Sequence, residues 1–311
     1  MTTRRLDESA AGVYIISATP FTDDGALDLD SADRLIDFYI DKGVSGITVL
    51  GMMGEAQKMA PDEAETFLKR VLKRVDARVP VIVGVSNPGV DNLVRLSHFS
   101  MEHGAAGVMI APLTGLTTEE KIYRYFAQVF DSLGDDVPVC YQDYPYVTRS
   151  DISVPLFNRL VTDYAQLVML KHEDWPGLGK VSAVRRSSEE GVRRVSILCG
   201  NGGLYLPQEL ARGADGAMTG FAFPEMLVEV VALHAAGDAD GAEDLFDAYL
   251  PLVRHEQQPG FGMALRKEVL YRRGAIASPK LRAPGAVLGD TDHRELTRLI
   301  ERVVRNVEAL K

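Results

Sequence analysis

The sequence has little cysteine and no long apolar run. Its two cysteines, Cys140 and Cys199, are too few and too far apart for a disulfide framework or a cysteine-based metal site. No apolar stretch reaches the roughly 18 residues that span a membrane. The first ten residues, MTTRRLDESA, lack the apolar core of a secretory signal. We therefore expect a cytoplasmic protein without membrane contacts.

Basic clusters are scarce as well. The formal net charge is −10 and no long run of lysine or arginine occurs, which argues against nucleic acid as a partner. A Gly-x-Gly-x-x-Gly motif does not follow the first apolar run, which weakens a dinucleotide-binding interpretation. We expect no metal site, because metal-ligand spacing is missing among the six histidines, His98, His103, His172, His234, His255 and His293.

The sequence is rich in short apolar runs that alternate with amphipathic stretches. Eight of these runs predict β-strands, at 12–20, 46–51, 79–85, 106–112, 137–142, 167–171, 194–200 and 216–220. The stretches between them predict helices at 31–43, 61–75, 90–104, 117–134, 154–163, 179–190 and 204–213. Apolar strands that alternate with helices indicate a parallel sheet covered by helices. The count of eight favours a closed (β/α)₈ TIM barrel over an open doubly wound sheet.

The strand pattern ends near residue 222. Helical patterns then cover 224–236, 239–256, 260–273 and 291–310. We divide the chain into a catalytic barrel, residues 1–222, and a second part, residues 223–311, which contains the last barrel helix and a C-terminal helical extension. No low-complexity linker separates the two parts, so we expect one compact unit.

Lys171 ends the sixth predicted strand, in VMLKHEDWPG (168–177). Active sites of TIM barrels lie at the carboxyl ends of the strands, and Lys171 is the only lysine among the eight predicted strand ends. Burial disfavours the ammonium form of a lysine, and a neutral amine can attack a ketone to form a Schiff base. The alternative is a structural lysine that reaches solvent or pairs with Glu173.

Tyr141 ends the fifth predicted strand, and strand alternation puts it on the same face as Val137 and Val139. If that face is the inner one, its hydroxyl can move protons near an imine. Otherwise Tyr141 is a core tyrosine.

Two glycines bracket Met52 and Met53 in GMMGE (51–55), after the second predicted strand. Backbone N–H groups in such a turn can converge on a carboxylate. An ordinary tight turn with two core methionines explains the same residues.

Together these features resemble the family of dihydrodipicolinate synthase and N-acetylneuraminate lyase, the pyruvate-type class I aldolases. The resemblance extends from ATPFTDDGALD (18–28) to GADGAMTG (213–220). It implies a (β/α)₈ barrel with a C-terminal helical segment, and a homotetramer or homodimer. By resemblance, Lys171 is the Schiff-base lysine, Tyr141 the proton relay and Met52-Met53 the carboxylate-binding loop, and Gly200 and Met218 line the pocket near the imine.

The chain departs from the synthase branch of this family in two places. That branch usually has two threonines where Met52 and Met53 stand. It also has an arginine for the second substrate soon after a Tyr-Asn-x-Pro motif. Here the segment reads YQDYPYVTRS (141–150), with one extra residue before Pro145 and with Arg149 beyond the expected place. YQDYP together with KHE is closer to the branch that dehydrates or cleaves 2-keto-3-deoxy sugar acids.

We therefore interpret the chain as a Schiff-base-forming lyase, with dehydration or aldol cleavage of a 2-keto-3-deoxy sugar acid as the favoured reaction. Its partner is a small-molecule 2-oxo acid, and Glu173, Asp143 and Asn201 are expected to contact that substrate. The imine is itself the electron sink, so we expect no cofactor. Two alternatives stay open. One is a 4-hydroxy-tetrahydrodipicolinate synthase that condenses pyruvate with aspartate semialdehyde, and the other is a non-catalytic 2-oxo-acid-binding barrel.

Overall fold

Eight parallel strands close into a barrel and follow one another around it in chain order. A computed structural model describes residues 5–310 of the protein. The strands are β1 Gly12–Ile16, β2 Gly46–Val49, β3 Val81–Gly84, β4 Gly107–Ile110, β5 Val139–Asp143, β6 Leu167–His172, β7 Ser196–Cys199 and β8 Gly216–Ala217. The predicted (β/α)₈ TIM barrel is confirmed.

Helices cover the outside of the barrel. They are α1 Leu29–Asp41, α2 Pro61–Val75, α3 Val90–Glu102, α4 Glu119–Leu133, α5 Pro145–Thr148, α6 Val154–Asp163, α7 Leu178–Glu189, α8 Leu206–Leu210 and α9 Pro224–Ala235. The short helix α5 lies in a segment without a helical pattern. Three short 3₁₀ turns, Met52–Gly54, Ala56–Lys58 and Asn201–Gly203, follow β2 and β7.

Strand alternation divides the core into two layers. Inward side chains fill the barrel, among them Tyr14, Ile82, Met109, Cys140, Met169, Leu198 and Met218. Outward side chains such as Ile15, Val83 and Ile110 pack against the helices. Leu6 closes the amino-terminal end of the barrel, where its N–H donates to the Ala106 carbonyl at 2.9 Å. The opposite end, at the carboxyl ends of the strands, stays open.

The C-terminal part consists of α10 Ala239–Glu256, α11 Gly262–Arg272 and α12 Asp290–Ala309. Helix α10 packs against α9, α11 and α12, and α11 reaches the open end of the barrel. The division of the chain at residue 222 stays a prediction. Within residues 5–310, every helix is too short or too polar to cross a bilayer.

Candidate active site

A cavity of about 640 Å³ occupies the open end of the barrel. The strand ends, the turn after β2 and the C-terminal part all contribute to its wall. Its polar lining includes Gln142, Tyr144, Lys171, Glu173, Asn201 and Arg266, and its apolar lining includes Met52 and Met53. Within the described chain, no group of three His, Cys, Asp or Glu side chains is arranged to hold a metal ion.

Lys171 points into this cavity and is 5 % exposed. Its Nζ lies 3.2 Å from Oε2 of Glu173. The same Oε2 accepts a hydrogen bond of 2.7 Å from Nε2 of Gln142. Gln142 is paired with Lys171 in the β5–β6 register, which explains why both side chains face the same way. Glu173 follows two residues after Lys171 and shares its face, as strand alternation predicts.

Tyr141 lies outside this cavity, so the prediction that it faces the imine is wrong. It is fully buried between the barrel and the helices, with ring centroids 4.7 Å from Phe126 and 5.9 Å from Phe157. Strand alternation groups Tyr141 correctly with Val139, but that face is the outer one. Its hydroxyl has no hydrogen-bond partner among residues 5–310.

Asp143 also lies on the outer side of the barrel, and its predicted contact with substrate is wrong. Its Oδ2 accepts a hydrogen bond of 2.9 Å from Nζ of Lys180, and it lies 4.0 Å from Nδ1 of His172. Burial raises the pKa of Asp143 to about 6 despite Lys180. Burial and the Lys180 charge lower the pKa of His172 to about 4, so this histidine is neutral at pH 7.

Tyr144 takes the place in the cavity that was predicted for Tyr141. It follows β5 and lines the cavity with Lys171 and Glu173. Burial, and then the charge of Glu173, raise the pKa of Tyr144 to about 12. Its phenol is therefore protonated at neutral pH and can donate a proton. The extra residue before Pro145 is the sequence signal that could have indicated this shift.

Glu55 holds the turn that carries Met52 and Met53. It is fully buried and accepts hydrogen bonds from Nζ of Lys267 at 2.6 Å, Nζ of Lys58 at 2.8 Å and the N–H of Arg282 at 3.0 Å. Burial lowers the pKa of Lys267 to about 8, although Glu55 opposes this shift. These contacts fix the position of both methionines at the wall of the cavity.

Backbone strain marks the same end of the barrel. Leu50, Glu55 and Asn201 have φ values of 55°, 53° and 50°. These values lie in the left-handed region, which residues other than glycine seldom adopt. All three lie in the loops after β2 and β7. Such strain is often found at functional sites, and here it accompanies the turns that line the cavity.

Gly200 and Met218 do not line the cavity. A Cβ atom on Gly200 would lie 2.2 Å from Cγ of Glu173, so Gly200 leaves the space that the Glu173 side chain occupies. Met218 is fully buried in the barrel interior, with its Sδ 4.0 Å from Sγ of Cys140. Asn201 does line the cavity, as predicted.

Arg266 is a cavity residue that no sequence motif indicated. It comes from α11, is 5 % exposed, and its Nε donates to Oε2 of Glu256 at 2.9 Å. Its Nη1 lies against Sδ of Met53. Lys267, the next residue, binds Glu55, so one turn of α11 supports both the cavity and the turn after β2.

A closed barrel with a buried lysine beside a carboxylate at its open end supplies the amine with which class I aldolases form a Schiff base. The model of the dihydrodipicolinate synthetase family matches residues 9–303, and the chain belongs to this family. Members of the family are class I pyruvate aldolases and lyases, and this chain is an enzyme of that class.

Relatives with two kinds of named activity resemble the chain. L-2-keto-3-deoxyarabonate dehydratase of Azospirillum brasilense is 29% identical over 296 residues, which cover 94% of each chain. A 4-hydroxy-tetrahydrodipicolinate synthase of Methanococcus maripaludis is 30% identical over 246 residues, covering 78% of this chain and 82% of the synthase.

Solved structures of the family have the same fold. The crystal structure of dihydrodipicolinate synthase from Rhodopseudomonas palustris is 50% identical, with a TM-score of 0.95, and the match covers 96% of this chain and 100% of that one. YagE of E. coli K12, solved in complex with pyruvate, is 25% identical with a TM-score of 0.86, and the match covers 94% of this chain and 98% of that one.

Proposed function

We propose that this enzyme dehydrates or cleaves a 2-keto-3-deoxy sugar acid through a Schiff base on Lys171. The contact between Lys171 and Glu173 carries the proposal, because it puts an amine and a carboxylate side by side in a cavity with polar walls. Gln142 and Asn201 offer hydrogen-bonding groups to a substrate chain with several hydroxyls. A site built to bind hydroxyls selects substrates that carry them, by roughly 10⁴-fold in good cases.

The reaction begins when the Lys171 amine attacks the C2 ketone of the 2-oxo acid. Glu173 takes a proton from the attacking nitrogen and passes it to the oxygen, and the Tyr144 phenol donates a second proton, so that the oxygen leaves C2 as water. The resulting imine draws electrons from C3. Gln142 holds Oε2 of Glu173 in place during these proton transfers.

The imine permits two outcomes. In dehydration, Glu173 removes a proton from C3, and the enamine expels the C4 hydroxyl as water after that hydroxyl is protonated. In cleavage, the C4 hydroxyl loses its proton, the C3–C4 bond breaks and an aldehyde leaves, and the remaining enamine takes up a proton at C3 to restore the imine. Hydrolysis of the imine then frees Lys171 in both cases.

Each of the two candidate reactions is supported by one named relative. The relative named L-2-keto-3-deoxyarabonate dehydratase aligns over 94% of both chains, which supports the sugar-acid reaction. The 50% identical structure named dihydrodipicolinate synthase favours condensation of pyruvate with aspartate semialdehyde as a second candidate. Assembly as a homotetramer or homodimer stays a prediction for either reaction.

Covalent trapping tests the role of Lys171. Incubation with pyruvate and borohydride is expected to add a reduced adduct to one peptide, and mass spectrometry is expected to locate it on Lys171. The Lys171→Ala variant is expected to give no adduct. An adduct on another lysine would contradict the proposed mechanism.

Steady-state kinetics test the substrate. We expect kcat/KM for 2-keto-3-deoxy sugar acids of five and six carbons to exceed that for pyruvate plus aspartate semialdehyde by about 10²-fold or more. A faster reaction with the semialdehyde would identify the chain as a synthase.

A further inference from the structure

The guanidinium of Arg266 is a buried cation whose outer edge has no oxygen partner in the described chain. Its Nε is paired with Glu256, and its Nη1 contacts the sulfur of Met53. Among residues 5–310 these two groups are its only hydrogen-bond acceptors. A thioether is a weak acceptor, whereas a guanidinium edge matches a carboxylate with two parallel hydrogen bonds. The edge is therefore available to a carboxylate in the cavity.

This guanidinium lies on one side of the cavity. A Cβ atom on Gly220 would lie 2.9 Å from Nη1 of Arg266, 3.0 Å from Sδ of Met53 and 3.1 Å from the Ile16 carbonyl. Arg266 thus lies near three segments: the end of β1, the turn after β2 and the segment after β8. On the other side, Gln142 belongs to β5, Lys171 belongs to β6 and Glu173 directly follows β6.

The charges on the two sides of the cavity favour one orientation of the bound substrate. A 2-oxo acid joined to Lys171 at C2 has a carboxylate on one side of that carbon and a hydroxylated chain on the other. Glu173 repels the carboxylate, and Arg266 attracts it. The turn of Met52 and Met53 offers it backbone N–H groups but no side-chain hydroxyl and no positive charge. We propose that Arg266 anchors the C1 carboxylate of the substrate, and this rests on the proposed function because it requires a 2-oxo acid at Lys171.

Glu256 gives the proposal a second consequence. It is 2 % exposed and lines the same cavity. By holding Nε, it aims the Nη edge of Arg266 away from α10, but its own charge competes with the substrate carboxylate. Removal of the Glu256 charge is therefore expected to strengthen carboxylate binding, whereas removal of the Arg266 charge is expected to abolish it.

The first experiment compares pyruvate with pyruvamide, which has an amide in place of the carboxylate. Adducts on Lys171 are trapped with borohydride over a range of concentrations of each ketone. Arg266→Gln is expected to raise the half-saturating pyruvate concentration by about 10²-fold and to leave that of pyruvamide nearly unchanged. An equal rise for both ketones would mean that Arg266 only supports the fold, and would overturn the proposal.

Matched variants complete this experiment. Arg273 forms a more exposed ion pair with Glu225 outside the cavity, so Arg273→Gln is expected to keep the preference for pyruvate. Glu256→Gln is expected to lower the half-saturating pyruvate concentration. A rise in Glu256→Gln that matches the rise in Arg266→Gln would also overturn the proposal, because both changes would then act by breaking one structural ion pair. The double variant Arg266→Gln/Glu256→Gln leaves no unpaired buried charge, and is expected to bind pyruvate as weakly as Arg266→Gln.

Calorimetry separates this proposal from the proposed function. If the wild-type protein gives no adduct on Lys171, the imine mechanism fails, and reversible pyruvate binding then decides the role of Arg266. Lys171→Ala is expected to bind pyruvate, and Lys171→Ala/Arg266→Gln is expected to bind it about 10²-fold more weakly. Equal binding by the two variants, or no binding by either, would overturn the proposal.

Discussion

At the residue scale, Tyr141 and Tyr144 are two tyrosines three positions apart with opposite surroundings. The Tyr141 hydroxyl is buried without a partner, and Tyr144 lines the cavity beside Glu173. Tyr144→Phe is expected to lower kcat by about 10²-fold, the usual contribution of one proton-transfer group. Tyr141→Phe is expected to keep wild-type kcat. Kinetics of both variants with the same substrate check this pair.

The stability of Tyr141→Phe provides an independent measurement. A buried hydroxyl without a hydrogen bond costs free energy, so its removal is expected to leave the free energy of unfolding unchanged or to raise it by about 1 kcal/mol. Urea denaturation measures the difference. A large loss of activity in Tyr141→Phe would instead show that the hydroxyl takes part in the reaction.

At the scale of elements, the contact between the end of β7 and the residues after β6 controls the position of Glu173. A methyl group on Gly200 would collide with the Glu173 side chain, so Gly200→Ala is expected to displace this carboxylate from Lys171. We expect kcat to fall by at least about 10²-fold, because a shift of about 1 Å at a catalytic group has this effect.

Gly179 is the control for this substitution. A Cβ atom there would meet no atom within 4 Å, so Gly179→Ala is expected to have wild-type kcat. A normal kcat in Gly200→Ala would show that the loop moves to accommodate the methyl group, and that Glu173 keeps its place.

Strand alternation and strand register explain which site residues could be predicted from the sequence. Lys171 could be predicted because it is the only lysine at a strand end, and Glu173 because alternation puts it on the same face. The orientation of Tyr141 could not be predicted, since alternation groups residues by face but does not say which face is inside. Pairing of Gln142 with Lys171 settles that question, and register depends on contacts between strands that are distant in sequence.

At the scale of the whole molecule, strand and helix patterns predicted the architecture well. The eight apolar runs became the eight strands of a closed barrel, and the helical patterns after residue 222 became α9 to α12. Arg266 shows what such patterns leave out. It belongs to a helix far along the chain from Lys171, and only the packing of α11 on the open end of the barrel brings it to the cavity.

The stability of the whole molecule is expected to depend on pH through Glu209, which is 6 % exposed. Burial, and to a smaller extent the charge of Glu173, raise the pKa of Glu209 from 4.5 to about 7. The folded protein thus binds this proton more tightly than the unfolded chain does. The resulting stabilisation is fully present below pH 4.5 and is lost as the pH rises through about 7.

Glu209→Gln tests this dependence, since glutamine imitates the protonated carboxyl group. The variant is expected to match the wild type near pH 4.5 and to exceed its free energy of unfolding at pH 8 by up to about 3 kcal/mol. Urea denaturation at both pH values measures the difference. A constant difference between variant and wild type across this range would show that Glu209 does not change its protonation on folding.

The bonds of Glu55 also set the order in which the molecule is completed during synthesis. This carboxylate binds Lys267 and the N–H of Arg282, which follow it by 212 and 227 positions. A ribosome that adds 5–20 residues per second needs roughly 10–45 s to cover that interval. Lys171 is added about midway through this interval, before the residues that hold the turn after β2. The turn after β2 therefore takes its final form only after Lys171 has been made, and a chain that ends before residue 267 carries this lysine without the contacts that hold the turn.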